Sequence, residues 1–370
     1  MKQLKQGVCS FLIIFVLSGL PYLIQAQTWQ YRYRPSLRDI GYLTVGPQGG
    51  LINYFGDLNP LSQYASTDLS KTRPTIGINV ARKLSPRLIA RAGLSWGRLS
   101  ANDFQAADPT DERHRYRFAR NVHFRNDIFE LSLIFTYDIF PSASVYYKRV
   151  PITPYILAGI AAFYHDPKAR TPLDYDGGDA DPGEWVRLRP LSTEGQGLVR
   201  TNTDLRPSAN GSPINPVGAP IGTYRKPYSL LQPAIPLGAG VRFKVNDRMD
   251  ISFEVAYRLL FTDFLDDVSG NYANPNDLTE QVGPLSATLA NRTLETVDAR
   301  SGRSRADELA VFLSEVNRPT LDQAGNLTIS GYGNDGDKRG ESSNTDIYIM
   351  AVVHLQYIIG VGLRCPGGRK

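Results

Sequence analysis

Two histidines stand beside carboxylates at spacings that suit acid–base work. His123 precedes Asp127 by an even step, which puts both side chains on one face of an extended strand. His165 is followed directly by Asp166. A histidine near a carboxylate at a protein rim is a plausible general base for hydrolysis. That chemistry also needs a nucleophile or a metal-bound water, and neither signal is present. There is no nucleophile elbow, no cysteine nucleophile and no metal-binding spacing. The favoured expectation is that His123 and His165 sit at strand ends without a catalytic role. Of the other histidines, His114 lies in a charged segment and His354 on the inward phase of the last alternating segment.

The stretch Asp174-Tyr175-Asp176-Gly177-Gly178-Asp179-Ala180-Asp181-Pro182-Gly183-Glu184 offers carboxylates for a hard cation such as calcium. Counted from Asp174, however, the fifth position is Gly178 and the sixth Asp179, so the ligand order of the EF-hand loop fails. A solvated acidic loop is expected, with no metal and no cofactor.

The remaining charges of interest alternate with hydrocarbon. In 249–261, Met249, Ile251, Phe253, Val255, Tyr257, Leu259 and Phe261 share one face of a strand, and Asp250, Ser252, Glu254, Ala256 and Arg258 the other. The same two-residue period marks 230–245, 87–98 and 128–140, and more weakly 40–54, 74–84, 152–165 and 345–358, which makes eight strands. The polar phase carries Arg91, Glu130, Arg242, Glu254 and Arg258, while the bulky phase is almost pure hydrocarbon. A soluble sandwich or barrel would turn the hydrocarbon inward. Charges inside a small barrel are tolerated when they pair, and hydrocarbon outside matches lipid. These five residues are therefore expected to form a structural interior network, not an open pore.

The links between strands alternate in length. Those at 84–87, 141–151 and 245–248 are short; those at 55–73, 99–122, 166–228 and 265–344 are long. Short periplasmic turns, long extracellular loops and an even strand number are the signature of an outer-membrane barrel, and eight strands suit a small barrel filled by its own side chains. The fold class expected is all-β, an eight-stranded antiparallel transmembrane β-barrel with long extracellular loops. One helix is expected within the last loop, at 304–317. Leu309, Phe312, Leu313 and Val316 fall at helical spacing, and Ser304 with Asp307 resembles a capping box. Its apolar face is expected to pack on its own loop, with capping of the mouth or a partner contact as alternatives.

The N-terminus reads as a secretory signal. Lys2 and Lys5 precede the apolar run Phe11 to Leu20, and Ile24-Gln25-Ala26 offers a small-residue cleavage site. The domain order expected is a signal peptide at 1–26, cleaved after Ala26; an N-terminal periplasmic segment at 27–39; the barrel at 40–358, with long loops at 166–228 and 265–344; and a C-terminal tail at 359–370. Cys365 would be alone in the mature chain, which excludes an intramolecular disulfide. The formal charge of +5 comes from scattered Lys and Arg, so nucleic acid is not an expected partner. Abundant Tyr (20), Gly (33) and Pro (25) fit aromatic-ended strands and turn-rich connections.

Several strings then resemble a known family. They are Asn53-Tyr54-Phe55-Gly56-Asp57-Leu58, Arg73-Pro74, Ser85-Pro86-Arg87, Phe124-Arg125-Asn126, Glu130-Leu131-Ser132-Leu133, Thr153-Pro154-Tyr155 with Ala158-Gly159, and Asp166-Pro167-Lys168-Ala169. The longest are Pro190 to Gly197 (PLSTEGQG) and Phe261 to Tyr272 (FTDFLDDVSGNY). Together, across about 40–358, they resemble the PorG-like outer-membrane barrels associated with type IX secretion. The resemblance implies a scaffold in the cell outer membrane, touching outer-membrane lipid and the PorK/PorN-like periplasmic ring, with no catalytic residues. The loops at 198–227 and 273–340 look longer than the family's usual ones. Asp263, Asp266, Asp267, Gly270, Asn271 and Tyr272 of the last string are expected to structure the outer rim, with Gly270 permitting a turn. The alternative is a surface-binding barrel whose loops at 166–228 and 265–344 recognise a ligand or another cell.

Overall fold

A computed structural model describes residues 41–58, 72–107, 115–142, 146–201, 222–315, 319–321, 327–329, 332–342 and 345–359. The expected signal peptide, N-terminal segment, C-terminal tail beyond Ile359, Cys365, His114 and Val316 lie outside the described residues. Eight long strands dominate: β1 (Leu43–Phe55), β2 (Arg73–Lys83), β3 (Leu88–Asn102), β4 (His123–Asp138), β5 (Ile152–Tyr164), β6 (Leu231–Lys244), β7 (Met249–Leu260) and β8 (Ile347–Ile359). Each pairs antiparallel with its sequence neighbours, and β1 pairs with β8, so the sheet closes on itself. An up-and-down barrel of this kind leaves no free edge.

Alternation fixes which face is which. On β4, Phe129, Leu131, Leu133, Phe135 and Tyr137 are exposed, whereas Glu130, Ser132, Thr136 and Asp138 are buried. On β7, Phe253, Val255, Tyr257 and Leu259 are exposed while Asp250, Ser252, Glu254 and Arg258 are buried. A water-soluble barrel shows the reverse. Leu131 is 58 % exposed and Ile78 62 %; a belt of such residues around the whole wall is stable only against hydrocarbon. The run from Phe129 to Ile139 matches the roughly 9–11 residues that a tilted strand needs to cross a bilayer. No helix among the described residues is long and apolar enough to do so.

The short turns are locally determined. Ser85 Oγ accepts from the Leu88 amide at 3.0 Å, and Asn246 Oδ1 from the Arg248 amide at 2.8 Å, the side-chain bonds that favour Ser and Asn in turns. At the opposite end β3 and β4 run further than the sequence suggests. They stay paired up to Asn102 and His123, not ending near 98 and 128. Above the lipid the loops cover both faces, so the polar–apolar period that marks the strand is lost while its hydrogen bonds continue. Short strands at Pro167–Arg170 and Trp185–Arg187 extend this outer end of β4.

Among the described residues, five short α-helices lie in the outer links: α1 (Asp103–Ala106), α2 (Arg115–Arg120), α3 (Pro275–Gln281), α4 (Pro284–Ala290) and α5 (Ala306–Glu315). In α5, Ser304 Oγ accepts from the Ala306 amide at 3.2 Å, a bond that differs from the capping box expected with Asp307. Leu309 and Phe312 pack on Phe104 and Phe118 from the β3–β4 link, with Leu294, Leu313 and Tyr332 around them. The helix thus joins two loops and does not pack on its own loop alone.

If the outer wall faces lipid, Leu133→Arg should destabilise the refolded barrel by about 2–4 kcal/mol. Urea unfolding from phospholipid vesicles checks this. A surface exposed to water would show almost no change.

Candidate functional site: the filled lumen and its outer cap

The inward phase of the strands brings the charged residues together in levels. Arg91 of β3 donates both bonds of its NH2 group to Glu254 of β7, each at 2.7 Å. Tyr155 Oη donates to the same carboxylate at 3.0 Å, and His354 Nε2 lies 3.6 Å from it. Gly240 leaves the room that Tyr155 needs, since a Cβ there would come within 2.5 Å of the ring. Nearer the long loops, Arg258 holds Glu130 by two bonds of 3.1 Å, and Tyr348 Oη donates to Glu130 at 2.6 Å. Nearer the short turns, Arg242 bridges Asp138 at 3.1 Å.

Three further groups belong to this interior. Lys83 bridges Asp138 at 2.7 Å, and Arg149 bridges Asp250 at 2.8 Å. They lie at strand ends beside turns, where a charge in sequence looks solvated. All these side chains are buried except Arg242, which is partly exposed. A cavity of about 30 Å³ remains, lined by Lys83, Arg91, Arg242, Asp250 and His354 among others. That is room for about one water.

The outer mouth is closed by a cap built from the strings that carry the family resemblance. Tyr54 Oη, at the end of β1, donates to Asp266 Oδ2 at 2.5 Å and lies 3.1 Å from Asp346 Oδ1. Asn126 Nδ2 donates to the Leu265 carbonyl at 2.6 Å, and its Oδ1 accepts from the Asp166 amide at 2.9 Å. Thr193 and Tyr228 donate to Asp267 at 2.5 and 2.7 Å. Glu194 accepts from the amides of Ser269 and Gly270 at 2.9 and 3.0 Å and from Arg339 at 3.0 Å. Arg120 reaches Asp103, the Asp57 carbonyl and the Arg339 carbonyl. Under these bonds Leu58, Leu265 and Val268 fill an apolar seam with Phe124, Phe163 and Tyr348.

The chain bends at Gly270 without a positive φ; the left-handed residue of the string is Asp267, at φ 67°. Asp267 tolerates it because its carboxylate has two hydroxyl donors and its carbonyl accepts from Arg339 at 2.7 Å. Asn271 bridges Lys338, and the Tyr272 amide bonds the Asp337 carbonyl at 2.9 Å. Asp263 is half-buried, with Oδ2 lacking a partner.

Burial pushes the Asp263 carboxyl up to about 8, reinforced by the charges of Asp57 and Glu194. Burial also raises Asp267 to about 6, against the pull of Arg339. Asp266 and Asp346 are pushed well above the usual carboxylate range by burial and by neighbouring carboxylates.

The histidines are not arranged as general bases. His123 is buried, its Nε2 accepting from the Arg170 amide at 2.9 Å and its ring edge-on to Trp185. Burial and the charges of Arg292, Arg300 and Arg170 hold it well below its usual range. His165 lies between Asn126 and the Ser229 carbonyl, stacked on Tyr228, and burial lowers it to about 4. Asp127 pairs with Arg98 and Asp166 with Arg187, each at 2.7 Å, not with either histidine. In the acidic stretch, Asp179 accepts from Tyr175 Oη. Among the described residues no group of three His, Cys, Asp or Glu is placed to hold a metal.

Comparisons with known proteins add little beyond this. The family described as "Domain of unknown function (DUF6089)" matches residues 35–172, less than half of the chain. No curated protein matches. Among solved structures the chain is similar to Neisserial surface protein A, at 7 % identity and TM-score 0.31, covering 85 % of this chain and 96 % of that one. It is also similar to the Yersinia pestis attachment invasion locus protein Ail, at 6 % identity and TM-score 0.29, covering 86 % and 97 %. OprG from Pseudomonas aeruginosa is matched at 9 % identity and TM-score 0.30, covering 85 % and 96 %. Likeness at these values assigns no function; the barrel rests on the chain's own strand pairing.

Glu254→Gln should cost about 3–5 kcal/mol in equilibrium unfolding, because it leaves the buried Arg91 without its counter-charge. Adding Arg91→Gln should recover much of that loss. The cap should also respond to pH. Carboxyls whose folded pKa is raised bind protons more tightly folded than unfolded, so their contribution is present in acid and lost as pH rises through the folded value. His165 works in the opposite sense, but only between about 4 and about 6.5. Hydrogen exchange in 263–272 should therefore speed up, beyond its intrinsic pH dependence, from about pH 6.5 to about pH 9, and Asp263→Asn should flatten the rise. A flat wild-type profile would contradict it.

Proposed function

We propose that this chain is a non-enzymatic outer-membrane component of the type IX protein secretion machinery, exported by a signal peptide cleaved after Ala26. In this reading the barrel is an anchor, and its short turns and termini dock a PorK/PorN-like periplasmic ring. The observation that carries it is the filled and capped lumen: with buried ion pairs inside and the PorG-like strings locked over the mouth, the barrel offers a rigid body and no passage. The short-turn end supports the docking role. Arg82, Arg87, Lys148 and Arg248 are exposed there, and opposite charge steers and orients a partner.

A surface-binding barrel is the second reading, favoured by one observation: the long links at 166–201 and 262–315 are packed into ordered helices and short strands, which hold a binding surface at low entropic cost. Cross-linking in the native host, followed by isolation of this barrel and mass spectrometry, separates the two. Near-stoichiometric recovery of the ring proteins is expected. Recovery of the barrel alone, from cells that make the ring, would overturn the secretion reading.

A further inference from the structure

The outer end of β4 carries a row of cations that neither the lumen nor the cap uses. Arg125 is paired in register with Lys168 of the Pro167–Arg170 strand, and Lys168 with Arg187 of the Trp185–Arg187 strand. Directly paired residues of antiparallel strands project to the same face, so three cations stand side by side. Arg187 forms an ion pair with Asp166 at 2.7 Å, which leaves Arg125 and Lys168 as the row's excess charge. Among the described residues, Arg125 and Lys168 form no ion pair, and the Arg125 guanidinium instead lies 4.3 Å over the Trp185 ring, with its Nε buried and lacking a hydrogen-bond partner. Arg98, one step closer to the membrane on β3, spends its charge on Asp127.

The position of the row identifies its partner. Below it, past the Arg98–Asp127 rung, the lipid-facing wall ends in Trp96, Phe129 and Tyr164, which are paired neighbours on β3, β4 and β5. Indole and phenol rings mark the boundary between hydrocarbon and headgroups. Cations above such a boundary face the headgroup layer, and a guanidinium fork there matches phosphate oxygens in geometry and charge. Resting on the outer-membrane reading above, we propose that the Arg125–Lys168–Arg187 row is a binding site for the phosphate groups of the glycolipid in the outer leaflet.

The test uses the full chain refolded into phosphatidylcholine vesicles, with insertion scored first by heat-dependent gel mobility. Binding of bisphosphorylated lipid A is then measured by native mass spectrometry for the wild type, for Arg125→Gln/Lys168→Gln/Arg187→Gln, and for Arg82→Gln/Lys148→Gln at the opposite rim. The row variant should bind at least tenfold more weakly and the opposite-rim variant like the wild type. Dephosphorylated lipid A should bind the wild type as weakly as lipid A binds the row variant. Equal binding by row variant and wild type, or indifference to dephosphorylation, would overturn the proposal. So would soluble inorganic phosphate binding the row as tightly as lipid A, which would make it a free-anion site. A chain that fails to insert at all would defeat the membrane reading itself, an outcome visible before any lipid A is added.

Discussion

A sheet whose whole outer wall is hydrocarbon cannot leave backbone N–H and C=O groups unpaired at that depth, since lipid offers them no partner. Closure by β1–β8 pairing answers that constraint, and the rest of the molecule follows from it. Eight strands enclose a lumen only wide enough for side chains. Because the outward phase must be apolar, the inward phase is the one place where charge can be stored. It is stored as matched pairs, Arg91–Glu254, Arg258–Glu130 and Lys83–Asp138, with Tyr155 and Tyr348 donating a further bond to Glu254 and Glu130 and Arg242 a further contact to Asp138. Each pair ties strands distant in sequence, so the network fixes register across the barrel as well as filling it.

The cap extends the same logic above the lipid. Tyr54, Asn126 and Asp346 stand at strand ends, and the Phe261–Tyr272 segment crosses over them, offering the Asp266 carboxylate to Tyr54, the Leu265 carbonyl to Asn126 and the Leu265 amide to Asp346. Carboxyl groups crowded into a buried seam raise one another's proton affinity. The cap is therefore most stable when those groups are protonated, while the buried neutral His165 sets a limit on the acid side. The lumen is held by paired opposite charges and the cap partly by protonated carboxyls, so the two should differ in their response to pH.

Much of this was legible in the sequence because lipid imposes a period of two on both phases at once. The strand number, the alternation of short and long links and the inward Arg91, Glu130, Arg242, Glu254 and Arg258 are all consequences of that period. Their partners were not legible. Arg91 meets Glu254 across 163 residues of sequence, and which levels coincide depends on the stagger of the closed barrel. Lys83 and Arg149 were not legible as inward charges because a charge beside a turn gives no sign of pointing inward, and Asp250, though on the polar phase, gives no sign of its partner. Above the membrane the period fails altogether, so the outer ends of β3 and β4 were underestimated. That the string takes a left-handed residue at Asp267 was not legible, because the hydrogen bonds that favour it come from Thr193 and Tyr228, which are distant in sequence. The packing of α5 on Phe104 and Phe118 needed knowledge of how two links lie together, which no local pattern carries.

A lumen filled by its own side chains is tested most directly by ion conduction. Full-length protein inserted in planar bilayers in concentrated potassium chloride should give no stable current steps, while a general diffusion porin measured in parallel gives them. Reproducible, uniform conductance steps from the purified chain would contradict a lumen closed by its own ion pairs and cap.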